Sequence, residues 1–190
     1  MYHSHAKDDP NVNPPHYRRS PFVFKKEDGK NVFDFKEYCD KQNDGKAPDH
    51  ITIFLGINDV FGAKDENVES IIDKIFENAD IVTNEFRKVG PNTKIAIALT
   101  PPPAGSQDAF GSNYKCNQTR WQYRKNQHRL VERYMQKYAN RENENFFVIP
   151  VYVNLDCENN YPKIEEQVNA RNPKKIFRDN NGVHPAPEGY

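Results

Sequence analysis

The stretch Ile51-Thr52-Ile53-Phe54-Leu55-Gly56-Ile57-Asn58-Asp59 decides the fold. Its apolar run, Ile51 to Leu55, suits a central strand of a parallel sheet, apolar on both faces. Gly56-Ile57-Asn58-Asp59 then turns the chain into a loop at the carboxyl end of that strand. Downstream, from Glu66 to Lys88, the positions Val68, Ile71, Ile72, Ile75, Phe76, Ala79, Val82 and Phe86 recur at three- and four-residue steps. That spacing predicts an amphipathic helix, stopped by Gly90-Pro91. A second buried strand follows over Ile95 to Leu99 and ends at Thr100-Pro101-Pro102-Pro103. A second long helix is expected over Gln118 to Ala139, with Trp121, Leu130, Val131, Tyr134, Met135 and Tyr138 on one face. The third strand is Phe146 to Val153, with Pro150 near its end.

The order strand, helix, strand, helix, strand defines an α/β domain with a parallel sheet, and such sheets bind ligands beyond the carboxyl ends of their strands. Gly56-Ile57-Asn58-Asp59, the Pro101 to Gly105 loop and Asn154-Leu155-Asp156 fall at three such ends. Upstream, Asp34 is placed to cap a short helix from Phe35 to Gln42, which leads into the loop Asn43-Asp44-Gly45. Residues 1–21 are polar and Pro-rich and read as a surface arm, so the domain proper runs over 22–190.

Length and charge narrow the function. A chain of 190 residues fits one domain with a core of its own. The 27 basic residues balance 27 acidic ones, so no net field draws the chain to nucleic acid or to an anionic membrane. With a mean hydropathy of −0.98 and apolar runs far short of the roughly 20 residues a spanning helix needs, no membrane span is expected. Cys39, Cys116 and Cys157 are odd in number and far apart; free thiols are expected, one disulfide at most, and no Cys-x-x-Cys clip. Met1-Tyr2-His3-Ser4-His5 has no apolar core of a signal peptide. Its two histidines on an arm make a poor metal cage, so neither metal nor cofactor is expected.

A second motif stands at the other end of the chain, Asn181-Gly182-Val183-His184-Pro185. Acyl transfer to water needs a nucleophile, a base, an orienter for that base, and donors for the oxygen that turns negative. Asn58 has an uncharged amide suited to donation, and His184 is a natural base.

The two motifs in this α/β context resemble the SGNH (GDSL-type) hydrolases. The resemblance implies a flavodoxin-like three-layer domain, with Asn58 as the oxyanion-hole donor, His184 as the base, and Gly56 and Asp59 beside the substrate. It implies an ester substrate, often an acetylated carbohydrate, and for many relatives a secreted or periplasmic location. The orienting acid of the family would fall at Asn181; Asp179, two residues earlier, is the alternative. The family's Gly-Asp-Ser segment has no counterpart among Ser4, Ser20, Ser70, Ser106 and Ser112, which read as turn, cap or solvated residues. The expectation is therefore a partial domain, lacking its first strand and final helix, with a sheet edge left exposed and little esterase activity on its own. The rival expectation is a non-catalytic domain that binds a glycan or a protein on the same frame.

Overall fold

The computed structural model describes residues 21–26 and 28–189. The expected arm, with His3, Ser4, His5 and Ser20, lies outside the described residues apart from Pro21. The chain forms two compact units, Met1–Ile51 with Phe76–Ile95, and Thr52–Ile75 with Ala96–Tyr190.

In the first unit, strands β1 (Val23–Lys25) and β2 (Asn31–Phe33) pair antiparallel, Phe24 opposite Val32. Helix α1 (Phe35–Gln42) starts where Asp34 accepts a hydrogen bond from the Glu37 backbone N–H at 2.9 Å, as its sequence predicts. Lys26 reinforces this start, reaching Asp34 at 2.5 Å and Glu37 at 3.0 Å. Phe35 packs edge-on against Phe86 at 4.5 Å between ring centroids. Such aromatic contact gives a small unit much of its apolar burial.

Strands β3 (His50–Ile53), β4 (Lys94–Ala98) and β5 (Phe146–Ile149) form a parallel sheet in that order. The α/β class with a parallel sheet is thus borne out. β4 is the middle strand, and its Ile95 and Ile97 are buried. β3 does not match the expectation of a central strand buried on both faces. It lies at the margin of the described sheet, and exposed His50 and Thr52 alternate with half-buried Ile51 and Ile53. One neighbouring strand covers too little of it to bury both faces. β5 also ends earlier than expected. Ile149 accepts from Leu99 at 3.0 Å, but Pro150 has no N–H to continue a ladder, and the chain turns into a short helix α4 (Val151–Asn154).

Helix α2 (Val68–Val89) falls within two residues of its predicted bounds. Helix α3 (Arg120–Tyr138) begins after Thr119, whose hydroxyl accepts from Gln122 N–H at 3.1 Å. Its buried stripe is Tyr123, Asn126, Gln127, Leu130, Val131, Tyr134 and Tyr138. Trp121 and Met135, expected on that face, are 63% and 42% exposed. They lie off the 3.6-residue stripe, and polar residues occupy the places that hydrophobicity alone would give them. The long hairpin of β6 (Lys163–Asn169) and β7 (Asn172–Asp179) was not expected. Only Glu166, Val168, Ile176 and Arg178 of its middle are half-buried, too mixed a set for hydrophobic periodicity to reveal. All three cysteines are free.

Candidate active site

Each motif is built on the second unit. After β3, Gly56 has φ +103, a conformation that favours glycine. A Cβ there would lie 2.8 Å from Leu130 Cδ2 and 3.1 Å from the Tyr134 hydroxyl. Gly56 is therefore a position where the backbone lies directly on α3.

The loop it opens is held from beneath. Tyr134 donates to the Leu55 carbonyl at 3.1 Å, and Tyr123 to the Ile57 carbonyl at 3.2 Å. Asn126, fully buried, donates both of its amide hydrogens, to Val60 O at 3.0 Å and Ala63 O at 2.7 Å. Gln118, just ahead of α3, reaches Phe61 O at 2.5 Å. Buried carbonyls need partners, and here α3 provides them. Burial pushes the Tyr123 and Tyr134 phenols well above their ordinary range; the Asp59 charge adds to this at Tyr134. Both phenols are thus fixed as neutral donors. Asn58 and Asp59 stand exposed above this support, and the Asn58 amide has no hydrogen-bond partner among the described residues.

The second loop is held by its own side chain. Asn181 Oδ1 accepts from the backbone N–H groups of Val183 at 2.9 Å and His184 at 3.0 Å, a local Asx-type closure. Val183 is buried. A Cβ on Gly182 would lie 2.3 Å from the Phe110 ring, so this ring rests directly on the glycine. Ala104 N–H donates to Gly182 O at 3.2 Å. His184 is exposed, and its imidazole has no hydrogen-bond partner among the described residues.

The two loops share one support. Tyr123, which holds Ile57, meets Phe110, which covers Gly182, edge to face at 5.8 Å. The candidate orienters are occupied otherwise. Asn181 closes its own loop, and Asp179, 5% exposed, accepts from Lys163 Nζ at 2.9 Å. Among the described residues no group of His, Cys, Asp and Glu side chains is gathered to hold a metal ion. Sequence reading passed over Tyr123, Asn126, Tyr134 and Phe110 as components of the site. Their signal was present in part: polar residues recurring on the buried stripe of α3.

The chain is thus a parallel α/β frame that carries exposed Asn58 and exposed His184 on loops meeting one aromatic pair. The family model for GDSL-like Lipase/Acylhydrolase matches residues 15–190, and the chain belongs to that family. No curated protein matches the chain.

Proposed function

We propose that this is the frame of an ester hydrolase acting on an acylated carbohydrate, with Asn58 as oxyanion donor and His184 as general base. The observation that carries this reading is the exposure of an unpartnered Asn58 amide and an unpartnered His184 imidazole on loops held by one Tyr123–Phe110 pair. In the reaction His184 takes the proton of an attacking serine hydroxyl, and the Asn58 N–H donates to the carbonyl oxygen as it becomes negative.

None of the described serines suits the nucleophile. Ser70 donates to Asn67 O inside a helix start, Ser112 to Asp108, and the Ser106 hydroxyl is closed off from solvent. We therefore assign the nucleophile to a Gly-Asp-Ser segment outside these residues, and expect negligible turnover without it. The test is release of nitrophenol from nitrophenyl acetate by the chain joined to such a segment. Turnover should appear, fall about 10²- to 10³-fold in Asn58→Ala, and be abolished in His184→Ala. Failure of a folded, completed chain to turn over any ester would favour a second reading, a binding domain on the same frame. The engagement of both Asn181 and Asp179 away from the imidazole speaks for that alternative. Among the described residues no helix is long and apolar enough to cross a membrane.

A further inference from the structure

We infer that Asn181 is a modification site, set up by the fold for spontaneous deamidation to aspartate with water as the sole co-reactant. Asn181-Gly182 is the only Asn-Gly pair in the chain. The consequence for turnover rests on the ester-hydrolase reading; the conversion itself does not.

The chemistry is intramolecular. The Gly182 backbone nitrogen attacks the side-chain carbon Cγ of Asn181 and closes a five-membered imide ring. The Cγ–Nδ2 bond breaks, and ammonia leaves with the proton given up by the attacking N–H. Water then adds to Cγ and breaks the new N–Cγ bond, returning one proton to the Gly182 nitrogen and leaving a carboxylic acid that ionises. Water enters, ammonia leaves, and nothing is oxidised or reduced. The reacting atoms belong to adjacent residues, so their effective concentration is high. The missing Cβ at 182 leaves the nitrogen unhindered.

The fold adds what a bare Asn-Gly pair lacks. As the nitrogen attacks, negative charge develops on Asn181 Oδ1. That oxygen accepts from the backbone N–H groups of Val183 at 2.9 Å and His184 at 3.0 Å, inside the ~2.7–3.1 Å range at which donors stabilise an oxyanion. The leaving nitrogen Nδ2 has no hydrogen-bond partner among the described residues, and Asn181 is only half-buried, so water reaches it.

The same donors act again when water adds at Cγ, and so steer the imide to aspartate. Attack at its other carbonyl would give isoaspartate and lengthen the main chain by one carbon. The packing resists that, because Phe110 rests on Gly182, Val183 is buried, and Gly182 O accepts from Ala104 N–H at 3.2 Å. The aspartate product keeps the closure, since a carboxylate accepts the two N–H bonds more strongly than an amide does. It also brings a second carboxylate oxygen, and a negative charge, three residues before His184.

The experiment is peptide mapping by mass spectrometry of the chain aged at mildly alkaline pH, folded in one sample and held unfolded in guanidinium chloride in another. In the folded sample the peptide carrying Asn181 should become one mass unit heavier, with aspartate several-fold in excess of isoaspartate; the unfolded sample should lose that excess. Asn181 intact in the folded sample after the unfolded one has reacted, or isoaspartate as the folded product, would overturn the inference. In the chain joined to a Gly-Asp-Ser segment, turnover of nitrophenyl acetate should rise about tenfold or more with the converted fraction, toward that of Asn181→Asp. Turnover that stays flat as aspartate accumulates would refute the role given to the acid. No turnover at any stage would sink the hydrolase reading and leave the mass result standing.

Discussion

The Gly56 and His184 loops both leave a polar side chain exposed, Asn58 on one and His184 on the other, but they are held by opposite means. The first is fixed by side chains far along the chain, Tyr123, Asn126 and Tyr134, which satisfy its carbonyls from a single helix. The second is closed by Asn181, three residues from the histidine it positions. A loop tied to a helix inherits the rigidity of the core. A loop closed on itself depends on one short side chain and one glycine.

The largest effect is expected at Gly56. Gly56→Ala combines a positive φ with a clash against Leu130 and Tyr134, so a loss of roughly 3 kcal/mol or more is expected in urea unfolding. A loss below about 1 kcal/mol would show that the loop does not lie on α3. Next is Asn126→Ala, which strands the buried Ala63 carbonyl and leaves Val60 O with the Ala63 N–H alone, and should lower stability by about 1–3 kcal/mol. It should also speed amide exchange across 56–63 while leaving 181–184 unchanged; equal acceleration in both loops would erase the distinction drawn between them.

Smaller effects sharpen the contrast. Asn181→Ala should cost about 1 kcal/mol, by analogy with lost caps, and loosen only 181–184, whereas Asn181→Asp keeps an acceptor and should preserve the closure. If the Asp variant loosens the loop as much as the Ala variant, the closure by Asn181 is not what holds it. The first unit supplies the mildest case. Lys26 first, then the Glu37 N–H, hold the Asp34 carboxyl below its usual range. The stabilisation this gives is present above the unfolded pKa near 4 and disappears as pH falls through the lower folded value. Asp34→Ala should therefore cost about 1 kcal/mol at neutral pH and nothing in strong acid; an equal loss at both would deny the carboxylate its part.

What the sequence made legible follows the range of the interactions. Asp34 with α1, the α2 stripe and the 181–185 loop rest on residues a few positions apart, and each falls where periodicity and turn chemistry put it. The support for the first loop was hidden because it joins residues some sixty to eighty positions apart, and because Asn126 and Tyr123 look like solvated helix residues until their partners are known. Trp121 misled for the complementary reason: it is large and apolar, but lies off the stripe, with the Arg120 guanidinium 4.4 Å from its ring. The marginal position of β3 was likewise invisible, since a run such as Ile51 to Leu55 reads the same in either place. The β6–β7 hairpin is written in charge pairs, which hydrophobic patterning does not weigh.

The two phenols beneath the Gly56 loop also give the protein an optical clock in alkali. A tyrosine in water ionises near pH 10 and absorbs in the near ultraviolet as it does so. Tyr123 and Tyr134, raised by burial, stay neutral and silent past that point. Since the unfolded chain releases those protons near pH 10 and the folded one does not, stability drains away as pH climbs above that value. The tyrosinate signal of these two should thus arrive as a cooperative step at the pH where the loop loses its floor.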